Sequence, residues 1–119
     1  MIAQKFRFHG HASLKYVFSR GQQQRSKFFA VKWVKNSRRH QPRLAVVVSK
    51  KVFKSAVKRN RIRRRIYEIS RPLLVDASGV DAVISVYDGE ALTASQDELT
   101  IQLLPLLHAA GLKSQHLHE

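Results

Sequence analysis

The richest chemistry in this chain lies in a run of cationic side chains between residues 50 and 65. The run reads KKVFKSAVKRNRIRRR, and residues 50–71 together hold ten Lys and Arg but one acid, Glu68. On a helix, Arg59 would stack on Arg63 and Arg61 on Arg65, and each such like-charge pair destabilises an isolated helix by about 0.2–0.5 kcal/mol. Keeping several of them favours a nearby anion, so the run predicts contact with nucleic-acid phosphates rather than a solvated face.

Charge is also divided unevenly along the chain. Of 22 Lys and Arg, all but Arg71 and Lys113 precede Glu68, which is the first of eight acids, and the formal net charge is +14. Self-repulsion at this density destabilises a compact state unless a polyanion relieves it. Arginine outnumbers lysine in the run, which favours RNA slightly because guanidinium groups also stack on unpaired bases. A DNA-binding helix could have the same composition.

The sequence shows no pattern typical of a protein catalyst. Hydrolysis assisted by metal ions needs carboxylates that converge on the ions, yet the acids show no paired spacing on a shared face. His9-Gly10-His11 and His116-Leu117-His118 are interpreted as polar residues rather than metal ligands. We therefore predict neither a catalytic residue nor a metal site in the protein.

Length and composition indicate one domain over residues 1–119, with residues 1–10 and 113–119 flexible. With 44% hydrophobic residues the chain can bury a core. No apolar run approaches the roughly 20 residues that cross a bilayer, and the first residues lack the apolar segment of a secretion signal. Without cysteine the chain suits a reducing compartment, so we expect a cytoplasmic protein that does not bind membranes.

Hydrophobic periodicity predicts three helices and three strands. The first helix covers about 11–20 with Gly21 as its stop, a loop follows at 22–26, and strands at 28–34 and 43–49 form an antiparallel pair. A long helix spans 55–71 and ends or bends at Pro72. A strand at 81–87 precedes a last helix, which starts at the capping box Ser95–Glu98, is kinked by Pro105 and ends at Gly111.

The same periodicity assigns side chains to faces. One stripe of the long helix should lie on the sheet, and it consists of Ile62, Ile66, Ile69 and Leu73. The opposite face carries Asn60, Arg64, Tyr67 and Arg71. Strand alternation puts Phe29, Val31 and Trp33 on one side of the sheet, where aromatic residues are more often core than nucleotide platforms. The other side carries Phe28, Ala30, Lys32 and Val34.

The residue pattern of the cationic segment resembles a known signature. VSKK at 48–51 and AVKRNRIRR at 56–64 are similar to the RNR motif of the bacterial ribonuclease P protein component, in which a helix carrying the motif follows a strand. The match over 43–66 is specific, whereas the outer thirds agree in pattern and length. The resemblance implies an α+β fold like ribosomal protein S5 domain 2: a two-layer sandwich with a mixed sheet of about four strands, three helices and a left-handed crossover.

The resemblance also implies a function. The chain would be the protein subunit of the endonuclease that removes the 5′ leader of precursor tRNA, with the RNA subunit performing the hydrolysis. Mg²⁺ would act through that RNA and the substrate, and the isolated protein would be inactive. The implied partners are the catalytic RNA subunit and precursor tRNA, with no obligate protein partner.

Site residues are carried over by position. Contact with the RNA subunit is implied for Lys50, Lys51, Lys54, Lys58, Arg59, Asn60, Arg61, Arg63 and Arg64. A cleft for the leader between the first helix and the sheet is implied for Leu14, Phe18, Ala30 and Lys32. Leu14 departs from the family, which commonly has an aromatic there, so stacking on a leader base is not expected at that position.

Two other classes of protein share some of these features. A ribosomal protein or general RNA chaperone would have the same charge, but would bind structured RNA without preference for a leader-bearing precursor. A protein nuclease would need its own metal ligands. Cleavage assays with the protein alone, the RNA alone and the mixture distinguish the three.

Overall fold

The computed structural model of this protein describes residues 11–36, 38, 41–75 and 79–112. The helices are α1 (His11–Arg20), α2 (Ala56–Leu74) and α3 (Gln96–Ala109), and the strands are β1 (Gln22–Arg25), β2 (Phe29–Lys35), β3 (Arg43–Val48) and β4 (Val80–Val86). A 3₁₀ turn at Gly89–Leu92 precedes α3. The flexibility predicted for 1–10 and 113–119 concerns residues outside the described ranges.

Local sequence signals set most helix ends. Gly21 stops α1, where an added Cβ would lie 2.5 Å from the Val17 carbonyl oxygen. Ser55 and Ser95 cap α2 and α3, each accepting a hydrogen bond from the backbone N–H three residues later. Gly111 follows α3 with φ +92°, a conformation that glycine adopts at helix C-termini. The predicted stops at Gly21 and Gly111 and the predicted cap at Ser95 are confirmed, whereas the cap at Ser55 was not predicted.

The helix α2 runs three residues past its predicted bound at Arg71, so Pro72 does not end it, and the alternative that Pro72 bends it stays a prediction. The helix continues to Leu74, although proline lacks the N–H that would bond one turn back. Leu73 and Leu74 are buried, at 5% and 0% exposure, and their packing offsets the missing hydrogen bond. Pro105 lies inside α3 as predicted, and the kink expected there stays a prediction.

The strand order is β1-β2-β4-β3. β4 is antiparallel to β2 and parallel to β3, so the predicted antiparallel pair of β2 and β3 is wrong. Val80–Val86 is buried at six of its seven positions, and a strand that is apolar on both faces gains most from a central place. The β3–α2–β4 connection is thus a crossover between parallel neighbours. Its left-handed sense stays a prediction.

Residues 22–25 form the edge strand β1, which corrects the loop predicted at 22–26. The four residues, Gln22 to Arg25, are all exposed. They pair with Ala30–Trp33 through backbone hydrogen bonds. Because neither face of β1 is buried, its sequence does not alternate between apolar and polar residues.

The core fills the space between the sheet and the layer of α2 and α3. Buried residues of that layer include Ile62, Ile66, Leu99, Leu103 and Leu107. Phe29, Val31 and Trp33 lie on this side as predicted, whereas Ile69 is only half-buried. Phe28 was assigned to the other side and is instead in this core, edge-to-face with Phe29 at 6.0 Å between ring centroids.

α1 lies on the opposite side of the sheet. It contacts β2 and β4, and its buried residue is Val17, which lies outside the main core cluster. Lys32, on the face opposite to Val31 and Trp33, reaches the last turn of α1. The α+β class with a mixed four-stranded sheet and three helices is confirmed. Among the described residues, no helix is long and apolar enough to cross a membrane.

Candidate nucleic-acid interface

The segment between β3 and α2, residues 49–55, is the lysine loop. The backbone N–H groups of Val52 and Phe53 both donate to the Ser49 carbonyl, at 3.1 and 3.2 Å, and this closes a tight turn. Phe53 is buried at 8% exposure and anchors the turn in the core. The predicted RNA-contacting side chains of this loop are all exposed, and they are Lys50, Lys51 and Lys54.

The N-terminal half of α2 carries the cationic face, formed by the exposed residues Lys58, Asn60, Arg61 and Arg64. The face is held outward because Ile62 and Ile66 on the opposite side are fully buried. Within the described part of the chain, none of its cations lies within 4.0 Å of a carboxylate, since the ion pairs there involve other residues. Its charge is therefore available to an external anion.

Two arginines of the same run are tied into the fold. One terminal nitrogen of Arg59 donates to the carbonyls of Phe53 and Lys54, at 2.9 and 3.0 Å. This joins the lysine loop to the first turn of α2. Arg63 donates to the Asn60 side-chain oxygen at 2.9 Å. Both arginines are half-buried, so they position neighbouring groups as well as carrying charge.

Arg65 connects α2 to the start of α3, a role that the sequence did not reveal. Its guanidinium donates to the carbonyls of Leu92 and Ala94, at 2.9 and 2.5 Å, and to the Gln96 side chain at 3.0 Å. The Gln96 amide donates back to the Arg65 carbonyl at 3.1 Å. Backbone carbonyls of the protein thus relieve part of the charge repulsion. From the sequence, an external anion was expected to do this. No local signal distinguishes Arg65 from its neighbours.

The four residues implied for the leader, Leu14, Phe18, Ala30 and Lys32, belong to α1 and β2. Their region on the other side of the sheet is called the α1 cleft, and its role as a cleft stays a prediction. The Lys32 ammonium donates to the Phe18 carbonyl at 2.7 Å and lies 5.6 Å from the centroid of its ring. Phe18 is 40% exposed. Leu14 precedes it by one helical turn, and Leu14 and Ala30 are half-buried. The structure thus brings together an exposed aromatic ring and a cation.

The same sheet face carries one buried acid, Asp81, which is 6% exposed. Arg43 donates to both of its carboxylate oxygens, at 2.9 and 2.7 Å, and the Asn36 amide donates at 2.9 Å. Hydrogen bonding to Asp81 raises the pKa of Arg43, burial opposes that shift, and the charge of the carboxylate adds to it. Asp81 is therefore satisfied inside the protein. In the described ranges, no three His, Asp or Glu side chains form a group that could hold a metal ion.

The fold and the site together define a class: a small α+β protein whose mixed sheet carries an arginine-rich helix on one side and an aromatic–cation pair on the other. The chain matches the family model described as Ribonuclease P over residues 2–111, and it belongs to that family.

Relatives and solved structures agree with this assignment. The ribonuclease P protein components of Xanthomonas axonopodis pv. citri and Thermus scotoductus are 43% and 40% identical over 70 and 92 residues, which cover 59% and 77% of this chain. These matches span about half of each relative, 48% and 52%. The Staphylococcus aureus RNase P protein superimposes with a TM-score of 0.79 at 23% identity, over 90% of this chain and 96% of that one. The Thermotoga maritima protein gives 0.74 at 24%, over 87% and 96%. The two structures show the shared fold.

Proposed function

We propose that this chain is the RNA-binding protein subunit of ribonuclease P and supports removal of the 5′ leader from precursor tRNA in the cytoplasm. The observation that carries the proposal is the cationic face of α2, which is exposed and free of carboxylate partners among the described residues. Family membership supports ribonuclease P RNA as the partner. The protein would need no obligate protein partner.

The catalytic RNA subunit would dock on the cationic face and the lysine loop. The first turn of α2 contains no acid but does contain Lys58 and Arg59. These cations lie next to the positive end of the helix dipole, which is unfavourable without an anion. A phosphate bound there would interact favourably with the positive end of the dipole and would reduce the repulsion between the like charges. Arg59 supports this arrangement by fixing the lysine loop beside α2.

The 5′ leader would pass through the α1 cleft. Phe18 offers an exposed ring to an unpaired base, and Lys32 offers a cation beside it. Stacking of one base on an aromatic side chain contributes about 1–3 kcal/mol. Leu14 would line the cleft without stacking.

The RNA subunit would perform the hydrolysis, with Mg²⁺ held by RNA and substrate. Three of the described acids are already engaged by cations: Asp81 is bonded by Arg43, Glu68 by Arg71, and Glu90 lies 3.6 Å from Lys27. The contribution of the protein would be affinity for the substrate and reduced phosphate repulsion, which lowers the Mg²⁺ concentration required.

A cleavage assay at low Mg²⁺ tests the proposal. Precursor tRNA is incubated with the protein, with the RNA subunit and with both, and the 5′ end of the product is mapped. We expect accurate cleavage to be stimulated in the mixture, with no cleavage by the protein alone. Cleavage by the protein alone would indicate a protein nuclease, and no stimulation in the mixture would indicate an RNA chaperone. Either result would refute the proposal.

A further inference from the structure

A second cation–aromatic pair lies beyond the α1 cleft, at residues to which the preceding sections assign no function. The guanidinium carbon of Arg25, the last residue of β1, lies 4.7 Å from the centroid of the Tyr87 ring. Tyr87 directly follows β4, and its hydroxyl donates to the Ser26 carbonyl. Its backbone N–H donates to the Phe28 carbonyl at 3.2 Å. The ring is therefore held at both ends, and the arginine lies over it.

Strand register places Arg25 on the same sheet face as Lys32. Arg25 is paired with Ala30, and Ala30 with Ser85. Partners across a sheet share a face, and Tyr87, which follows β4, adjoins this face because the Arg25 guanidinium lies over its ring. Lys32 follows Ala30 by two residues, about 7 Å further along β2. The side chains between the two cation–aromatic pairs are thus the small, half-buried Ala30 and Ser85.

The pair also lies at the end of the sheet nearest the lysine loop. Val48, after which that loop begins, is paired with Val86, the residue before Tyr87. A Cβ at Gly89 would lie 3.7 Å from the ring of Phe53, the anchor of the loop. Tyr87 therefore lies at the end of the sheet from which the lysine loop leaves, with the Arg25 guanidinium over its ring.

Both side chains are accessible. Arg25 is exposed and Tyr87 is 39% exposed. No carboxylate in the described ranges forms an ion pair with Arg25. A guanidinium held on a ring by one side keeps its other side available, and bases of single-stranded RNA stack on such planes. If Arg25 only shielded Tyr87 from water, its removal would not affect RNA binding.

We propose that Arg25 and Tyr87 form a stacking site for an unpaired nucleotide of the precursor leader, upstream of the nucleotides at Phe18 and Lys32. This inference rests on the proposed function, since it extends the path of the leader from the α1 cleft toward the lysine loop. The base lies on the outer side of the Arg25 guanidinium, and Tyr87 supports that guanidinium from below. The site therefore acts on leaders long enough to reach it.

The test measures affinity of the assembled holoenzyme for precursor tRNAs with leaders of graded length. Four proteins are compared: wild type, Arg25→Gln, Tyr87→Leu and Lys35→Gln. The last is the matched control, because Lys35 is an exposed cation at the opposite end of the sheet, paired with Val80. We expect Arg25→Gln and Tyr87→Leu to weaken binding of long leaders by roughly 5- to 150-fold, the range for one stacked base. Precursors with short leaders should bind the two variants as tightly as they bind wild type. The Lys35→Gln variant should keep the full increase in affinity with leader length.

Several results would overturn the inference. Equal losses for Arg25→Gln and Lys35→Gln would indicate general electrostatics, and equal losses for short and long leaders would indicate a structural effect. Tyr87→Phe keeps the ring and should remain close to wild type, and Arg25→Gln alone decides the question if Tyr87→Leu does not fold. If the wild-type holoenzyme binds precursors no more tightly with any leader than without one, the proposed function itself is refuted. If the wild-type affinity rises with leader length and the Arg25→Gln variant keeps that rise, this site alone is refuted.

Discussion

At the scale of single residues, four arginines of α2 divide into two groups by what their side chains contact. Arg61 and Arg64 extend into solvent, whereas Arg59 and Arg65 donate to backbone carbonyls of the protein. A charge-neutralising substitution in the first group should therefore affect RNA binding, whereas one in the second group should also affect the folded state.

Arg64→Ala should weaken binding to the RNA subunit and reduce the log–log dependence of affinity on salt by about one unit, because one phosphate contact is lost. The measurement is a salt titration of the binding constant. Arg71→Ala is the control, since Arg71 is bonded to Glu68 at 2.8 Å. A slope for Arg64→Ala equal to that of wild type would remove this residue from the interface.

Arg59→Ala combines both effects. It should lower the log–log dependence of RNA affinity on salt, because the lysine loop loses its connection to α2. It should also lower the free energy of unfolding by about 1–3 kcal/mol, since two carbonyls lose a charged donor. Urea unfolding measured beside the salt titration separates the two. A variant with a changed slope and unchanged stability would show that Arg59 contacts phosphate directly.

Arg65→Leu should lower the free energy of unfolding by about 2–4 kcal/mol, because several hydrogen bonds from one charged group are lost. Arg64→Ala in the same urea titration should change it by less than about 0.5 kcal/mol, as for an exposed side chain. Equal destabilisation by the two variants would contradict the assignment of Arg65 to the α2–α3 connection.

At the scale of elements, two features fix how the helices and strands meet. Gly21 lets α1 turn directly into β1, since its backbone lies against Val17 and Trp33. The Arg43–Asp81 pair joins two residues that are opposite each other in β3 and β4. The first feature places α1 over the cleft, and the second holds the edge strand in register.

Gly21→Ala should destabilise the protein and displace α1, because the new Cβ would lie 2.5 Å from the Val17 carbonyl oxygen and 3.0 Å from that of Trp33. We expect a loss of about 1–3 kcal/mol from such backbone overpacking. Gly89→Ala is the control, since its nearest neighbour is at an ordinary 3.7 Å. Thermal unfolding of both variants is the measurement, and equal midpoints would refute the argument.

Asp81→Asn should lower the free energy of unfolding by about 3 kcal/mol, the lower end for breaking a buried ion pair. Glu68→Gln removes a comparable carboxylate from an exposed pair and should change it by less than about 1 kcal/mol. Urea titrations of the two variants provide the comparison. Similar effects would mean that burial adds nothing to the Arg43–Asp81 pair.

The sequence predicted those elements whose signals are local. The capping serine Ser95, the glycines after α1 and α3, and the stripe residues Ile62, Ile66 and Leu73 of α2 act within a few residues, and they lie where expected. β1 escaped prediction because Gln22–Arg25 has no buried side and is stabilised only by pairing with β2. The position of β4 between β2 and β3 likewise depends on residues distant in sequence.

The candidate site was predictable in the same degree. Charge identified the cationic run, but charge alone does not show which arginines turn inward. That depends on where the carbonyls of residues 92 and 94 lie once α3 has packed on α2. Phe28 shows the same limit: alternation assigned it to the cleft side, yet it precedes β2 and turns into the core.

At the scale of the whole molecule, the lysine loop and the Arg25–Tyr87 site lie at the same end of the sheet. The lysine loop follows Val48 there, and Tyr87 follows Val86, its strand partner. The opposite end, where Lys35 pairs with Val80, carries none of the proposed contacts. This arrangement would let one small protein hold the catalytic RNA on α2 and the leader on the other side of the sheet.

Protection of lysines from acetylation tests this central claim most directly. The protein is labelled alone and in complex with the RNA subunit, and modification is measured at each lysine by mass spectrometry. The proposed docking predicts strong protection of Lys50, Lys51, Lys54 and Lys58, with Lys35 unchanged as the internal control. Protection of Lys35 together with continued labelling of the lysine loop would place the RNA elsewhere and contradict the proposal.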